Sequence, residues 1–199
     1  MYYQNIFGWT DFEDIYLEAC NKFDNCTFVE IGSFQGKSAC FMAESIKERK
    51  KNIKLVCLDL FPTKYEIQKY KNIGAGQGGD QFGEEAYINK LPESLMDTFV
   101  RNMIDAGVED IVIPIKSNSH KAVALFTDNS IPFVFVDASH NYDQVLEDVK
   151  LWWPKVTSGG MFAGHDRWTD GVARAVSDFF EPLGITFITR GNSWLIYKA

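Results

Sequence analysis

The sequence predicts an α/β protein with a doubly wound sheet of seven strands, mostly parallel, whose last strand is antiparallel. Three observations lead there. Short apolar runs rich in β-branched and aromatic residues alternate with longer segments of helical period. The runs are nearly continuous in their apolar character, as strands covered by helices on both faces must be. The final two runs are joined by Gly191-Asn192, a turn so tight that it connects only antiparallel strands.

The strands are expected at Phe28–Gly32, Lys54–Leu60, Ile111–Lys116, Pro132–Ala138, Gly160–Gly164, Thr186–Arg190 and Ser193–Tyr197. Helices are expected at Phe12–Phe23, Lys37–Lys51, Ser94–Ala106, His120–Phe126, Tyr142–Trp153 and Val172–Phe180. Phe61–Pro92 fits neither period well and contains Gly74-Ala75-Gly76-Gln77-Gly78-Gly79. An insertion of that length reads as a lid or binding segment. No linker, repeat or compositional break divides the chain, so residues 1–199 are expected to form one domain, with a short N-terminal segment at 1–25.

Composition narrows the function. The 199 residues are 46% hydrophobic and 15% aromatic, enough for one well-packed core. A net charge of −7, with both signs mixed along the chain, gains little from the counterion release that drives nucleic-acid binding. Cys20, Cys26, Cys40 and Cys57 lack CxxC spacing. The N-terminus has no basic stretch followed by an apolar run, and no segment has the length of a membrane span. The expectation is a cytoplasmic protein working on a small molecule, away from nucleic acid and membrane. Homo-oligomerisation is left open.

The first strand-to-helix turn, Glu30-Ile31-Gly32-Ser33-Phe34-Gln35-Gly36-Lys37-Ser38, is the most informative stretch. A phosphate-cradling loop needs four residues between its first glycine and Gly-Lys-Ser; this turn has three. A dinucleotide turn needs a middle glycine, which is missing here. An acid just inside the strand end suits a cationic ligand better than a phosphate, and S-adenosylmethionine carries an ammonium, a sulfonium and no phosphate. The second strand ends in Asp59, where an acid can accept from both ribose hydroxyls.

The fourth strand ends in Val136-Asp137-Ala138-Ser139-His140-Asn141-Tyr142, and the fifth in Gly164-His165-Asp166. Asp137 and Ser139 could simply end a strand and cap the next helix. Alternatively, the two strand ends are neighbours and pool their reactive groups. Asp143, Glu147 and Asp148 suit a helix opening, where acids meet the dipole favourably. Trp152 and Trp153 suit helix–sheet packing, and His120 a place beside a cap. Arg167 and Trp168, just past Asp166, are candidate substrate contacts.

With E-x-G-x-x-x-G-x-S at 30–38, the acid at 59, D-x-S-H-x-Y at 137–142 and G-G-x-x-x-G-H-D at 159–166, the chain resembles class I S-adenosylmethionine-dependent methyltransferases. It is most similar to the small-molecule group that includes macrolide-sugar O-methyltransferases. The early Gly8-Trp9-Thr10-Asp11-Phe12 also looks like the opening of such proteins. The resemblance implies a Rossmann-like sheet and O-methylation of a small hydroxylated molecule. It assigns Glu30, Gly32, Ser33, Gly36, Ser38, Asp59, Leu60 and Asp137 to S-adenosyl-L-methionine, with Ser117 near the adenine. It makes Asp137 and Asp166 ligands of a divalent metal, Mg or Mn, and His140 the base. The sugar enzymes have an acid where this chain has His165. Taken as a third ligand, that imidazole shifts preference from Mg²⁺ toward Mn²⁺ or Fe²⁺. The rival readings are a nicotinamide-dependent oxidoreductase and a cofactor-binding protein without turnover.

Overall fold

A computed structural model describes residues 1–72 and 91–199. Its sheet has seven strands: β1 Cys26–Ile31, β2 Ile53–Asp59, β3 Val112–Lys116, β4 Ile131–Val136, β5 Val156–Gly164, β6 Ile188–Arg190 and β7 Ser193–Tyr197. Their order is β3-β2-β1-β4-β5-β7-β6, with β7 antiparallel to both neighbours and the other ladders parallel. Sequence order therefore reverses between β1 and β4, at the sheet's centre. In open α/β sheets a crevice opens at that switch point, beyond the carboxyl ends of the strands.

The strand pleat sorts side chains onto two apolar layers. Phe28, Leu55, Cys57, Phe133, Phe135 and Ala163 face one cluster, packed with residues of the helices Glu13–Lys22, Lys37–Glu48 and Leu95–Asp105. Val29, Ile31, Leu58, Val134, Val136 and Trp194 face the other, against the helices Tyr142–Trp152 and Asp170–Phe180. Every residue of β4 is buried, as a central strand covered on both sides should be.

Four local differences from the sequence expectation have physical causes. β5 begins at Val156 rather than Gly160, and its register against β4 shifts between Ile131 and Phe133. The intervening Pro132 has no N–H to donate, and Gly159 takes a φ of +74°, so the ladder is interrupted there. Lys64–Asn72 is a helix inside the insertion that fitted no period. A capping box starts it: Glu66 N–H donates to Thr63 Oγ1 at 3.2 Å, and Thr63 N–H donates to Glu66 Oε2 at 2.7 Å. The helix after β3 is a single turn, Ser119–Ala122, continued as a 3-10 turn, Val123–Leu125. Finally, β6 is only three residues long. The glycine run at 74–79, on which the lid expectation mainly rests, lies outside the described residues.

Among the described residues, no helix is long and apolar enough to cross a membrane. Cys20, Cys40 and Cys57 are buried free thiols. Trp152 is fully buried, as expected for packing. Asp148 was expected as an acid that meets its helix dipole, and it does more. It is buried, and accepts from Ser119 Oγ at 2.6 Å with His120 Nε2 at 3.3 Å. The carboxylate stands between serine and histidine, so this cluster lacks the imidazole-centred order of a nucleophilic triad. It ties two helices together.

Candidate active site

The strand ends at the switch point touch directly. Asp137 N–H donates to Ile31 O at 2.7 Å, and Gly32 N–H to Leu58 O at 2.8 Å. Gly32 has a φ of +87°, and a Cβ added there would stand 1.9 Å from the carbonyl oxygen of Asp137. Only glycine lets the first turn lie against the end of β4. Gly36 is in the left-handed region too, where a Cβ would press into Phe99 and Met103.

On the β2 side, Asp59 organises the turn. Its Oδ2 accepts from Ser33 N–H at 2.9 Å and Phe34 N–H at 2.8 Å, and its Oδ1 from Phe61 N–H at 2.6 Å. Burial raises its pKa even though these donors favour the anion. Leu60, the next residue, is 56% exposed at the strand mouth. Ser117 lies alongside, its N–H donating to Asp59 O at 2.9 Å. Glu30, one residue inside the end of β1, is buried and accepts from Tyr16 Oη at 2.8 Å and Ser38 Oγ at 3.1 Å. Burial pushes its carboxyl up to about 7. Ser38 of the tempting Gly-Lys-Ser thus turns inward to an acid. Phe34 occupies the place of the missing middle glycine, with a φ of +48°.

On the β4–β5 side the end groups converge. His140 Nε2 lies 2.6 Å from Asp166 Oδ2. His165 Nε2 lies 2.7 Å from Asp11 Oδ1, and its Nδ1 lies 3.3 Å from Asp166 Oδ1 and 3.8 Å from Asp137 Oδ1. Burial, together with the charge of Asp166, raises Asp137 to about 7 against the pull of His165 and His140. Burial also opposes charge on the His165 ring, but its hydrogen bond to Asp166 and the surrounding aspartates outweigh that and raise it to about 9. Burial favours a neutral Asp166 as well. The two imidazoles overcome this and hold it well below the usual carboxylate range. The bond to Asp166 raises His140.

Capping is the task of other residues here. Asn141 Oδ1 accepts from Asp143 N–H and caps the helix Tyr142–Trp152, with Ser139 Oγ accepting from Asn141 N–H at 3.1 Å. Asp137 is therefore free of the capping role that the bland reading gave it. Asp166 adopts a φ of +56°, a left-handed conformation that aspartate tolerates better than most residues.

Two partners escaped the sequence reading. Asp11, at the mouth of the helix Glu13–Lys22, pairs with His165 across 154 positions of sequence. Asn192 donates through Nδ2 to Asp166 Oδ1 at 3.2 Å and accepts Trp168 N–H through Oδ1 at 2.8 Å. Gly191-Asn192 was legible as a turn, but no periodicity tells where a turn's side chain points.

The donor set suits a divalent cation. One ligand atom each from Asp137, His140 and Asp166 lies within 4.8 Å of the others. A cation there would relieve the repulsion between the two carboxylates. An imidazole among the donors favours Mn²⁺ or Fe²⁺ over Mg²⁺. This trio contains His140 where the sequence reading had placed His165, whose Nε2 is occupied by Asp11.

Comparison with known proteins bears on the same strand ends. The family model described as "Methyltransferase domain" matches residues 29–167, from the first turn to just past Asp166. The uncharacterized protein R132 of Acanthamoeba polyphaga mimivirus is 25% identical over 182 residues, covering 87% of this chain and 70% of that protein. Among solved structures, the O-methyltransferase NovP superposes with a TM-score of 0.70 at 12% identity, covering 94% of this chain and 79% of its own. CalS11, a TDP-rhamnose 3'-O-methyltransferase of calicheamicin biosynthesis, superposes with a TM-score of 0.58 at 13% identity, covering 93% of this chain and 76% of its own. These structures share the fold.

Proposed function

The chain belongs to the methyltransferase-domain family, and from that premise we propose that it is an S-adenosylmethionine-dependent O-methyltransferase acting on a small hydroxylated molecule. One observation carries the reading. Gly32, in the turn assigned to the cofactor, lies against the backbone of Asp137, in the cluster assigned to proton removal. A methyl donor and a hydroxyl activated at these two places would be neighbours, as in-line transfer requires.

S-adenosylmethionine supplies a methyl group on a sulfonium. Glu30, Gly32, Ser33, Gly36 and Ser38, which shape the first turn, would hold it there, with Leu60 and Ser117 toward its adenosine end. A carboxylate has about four acceptor sites, and Asp59 has committed three to backbone N–H groups. It would hold the turn in shape with these and offer its remaining acceptor capacity to the ribose hydroxyls.

His140 is the base. Asp166 holds Nε2 and so orients the ring, leaving Nδ1 to take the acceptor's proton as the oxygen attacks. Asp137 lies beside them. A divalent metal held by Asp137, His140 and Asp166 would polarise the hydroxyl instead, and His140 would then act as a ligand. Both routes use the same cluster. NovP and CalS11, O-methyltransferases by name, support oxygen as the methylated atom. Three buried thiols suit a reducing compartment and support a cytoplasmic setting.

Calorimetric titration with S-adenosylhomocysteine tests the cofactor. Saturable binding tighter than that of NADH is expected. Preference for NADH would return the chain to the oxidoreductase reading, which Phe34 at the middle-glycine position disfavours. Titrating Mn²⁺ into wild type and Asp166→Asn tests the metal: binding by the first and not the second is expected if the trio holds an ion.

A further inference from the structure

We propose that Asp11 is a positioning residue for the base His140, acting through the ring of His165 and the carboxylate of Asp166. The proposal rests on the O-methyltransferase reading and deepens it, because it names what aims the base of that site.

A general base works only when its ring is held within reach of the acceptor's proton. The group that orients it needs holding in turn. Asp166 Oδ2 meets His140 Nε2 at 2.6 Å. Its other oxygen, Oδ1, accepts from Asn192 Nδ2 at 3.2 Å and lies 3.3 Å from His165 Nδ1. Asp166 stands past the end of β5 at a φ of +56°. The ladder that fixes strand residues therefore does not fix its carboxylate.

His165 is placed differently. Its N–H donates to Val136 O at 3.0 Å, so its backbone is set by β4 and only the ring remains to be oriented. Phe12 packs against that ring at 5.1 Å between centroids, and Asp11 Oδ1 meets Nε2 at 2.7 Å. With Nε2 pinned, Nδ1 points toward Asp166 Oδ1 and, at 3.8 Å, toward Asp137 Oδ1. A half-turn of the imidazole would set carbons where both nitrogens now stand. Asp11 opposes that half-turn from the far end of the ring.

The helix Glu13–Lys22 does not use the Asp11 side chain for its start. Phe12 is the N-cap, with no side-chain cap bond, and Thr10 Oγ1 donates to Glu13 Oε1 at 2.7 Å. Ion pairs between two exposed groups hold little. Here the Asp11 side chain is 56% exposed, but that of His165 is only 12% exposed. Asp11 is also presented from a fixed support, as precise positioning requires. Phe12 and Tyr16 are buried and pack on Phe135 at 4.5 and 4.9 Å between centroids. The whole support precedes residues 29–167, which match the family model. A segment outside the matched domain thus aims a group inside it.

The test is long-range proton–nitrogen NMR of the full chain, carrying isotope-labelled histidine and saturated with S-adenosylhomocysteine. The chain has three histidines, so each ring is followed separately. His120, which faces Glu147 and Asp148 instead, is the internal control. Asp11→Ala is expected to shift the ring signals of both His165 and His140 while those of His120 stay in place. Asp11→Asn, whose amide oxygen can accept from Nε2–H, should return His140 close to its wild-type signals. Thr10→Ala, which removes the neighbouring bond to Glu13, should move neither ring. S-adenosylhomocysteine affinity should stay within about twofold in all three variants, because the Asp59 turn is untouched.

Unmoved His140 signals in Asp11→Ala overturn the proposal, since Asp11 would then hold His165 alone. An asparagine variant that behaves like alanine also overturns it, by assigning the effect to charge rather than orientation. So does an equal shift in Thr10→Ala, or a loss of about tenfold in S-adenosylhomocysteine affinity. Either would make Asp11 a general support of the helix that carries Tyr16 to Glu30. If wild type fails to bind S-adenosylhomocysteine, the parent reading falls, and the same spectra of the chain alone still decide whether Asp11 orients the His140 ring.

Discussion

On the β2 side of the switch point, Asp59 is held by three backbone N–H groups from the turn it supports. On the β4–β5 side, Asp137 and Asp166 are faced by the imidazoles of His140 and His165, with Asp11 paired to His165 and Asn192 donating to Asp166 from opposite ends of the chain. The first arrangement is local and made of main chain. The second is assembled from distant side chains whose charges set one another. Backbone donors cannot titrate or change rotamer, so they suit a binding surface that must present one shape. Imidazoles and carboxylates can exchange protons, so they suit chemistry.

Three substitutions break this comparison at different depths. His140→Ala removes the proposed base while leaving the Asp59 turn intact. Turnover measured with a methylated acceptor is expected to fall by about 10²–10⁴, with S-adenosylhomocysteine affinity nearly unchanged by calorimetry. Equal losses in both readouts would mean that the two sides are one unit.

Glu30→Gln addresses a group between the two sides. Burial raises Glu30 from an ordinary 4.5 to about 7, so the folded state holds a proton that the unfolded state has released. Its stabilising contribution is full below about 4.5 and is lost as pH rises through about 7. The difference amounts to roughly 3 kcal/mol. Denaturant melts of the glutamine variant should lack this fall across that window and show it gaining on wild type above neutrality. Parallel curves for the two proteins would mean that Glu30 is ionised throughout.

Asp59→Asn should have the smallest effect of the three, about tenfold on S-adenosylhomocysteine affinity, the scale of one hydrogen bond to a charged group. The asparagine amide keeps one acceptor oxygen for the turn but gives the other side of the carboxylate a donor. Some loss of thermal stability should accompany the weaker binding, because the residue also holds Ser33, Phe34 and Phe61. Weakened binding with unaltered melting would assign Asp59 to the cofactor alone.

Legibility in the sequence followed the range of the interaction. The turn from Glu30 to Ser38 could be read because its glycines, its acid and the next strand's aspartate occur in a short, ordered stretch. The capping box Thr63-Lys64-Tyr65-Glu66 was equally legible as a helix start, although the surrounding insertion hid it. The bulge in β5 was masked by Thr157-Ser158-Gly159-Gly160, which looks like loop to any propensity argument. Asp148 read only as an acid at a helix opening, because nothing in its own helix announces that Ser119 and His120 will cover it.

Alternating apolar periods were enough, by themselves, to determine a doubly wound sheet with an antiparallel close, because burial on two faces leaves few other uses for such runs. They also placed Asp137, His140, His165 and Asp166 at strand ends, since strands end where apolar character stops. Only the tertiary structure decided which of these groups meet. It paired His140 with Asp166 and gave His165 to Asp11. It also brought Asn192 from the last hairpin to Asp166. Such pairings depend on how neighbouring strands align and where loops turn, and those are set by packing across the whole sheet rather than by any local run of residues.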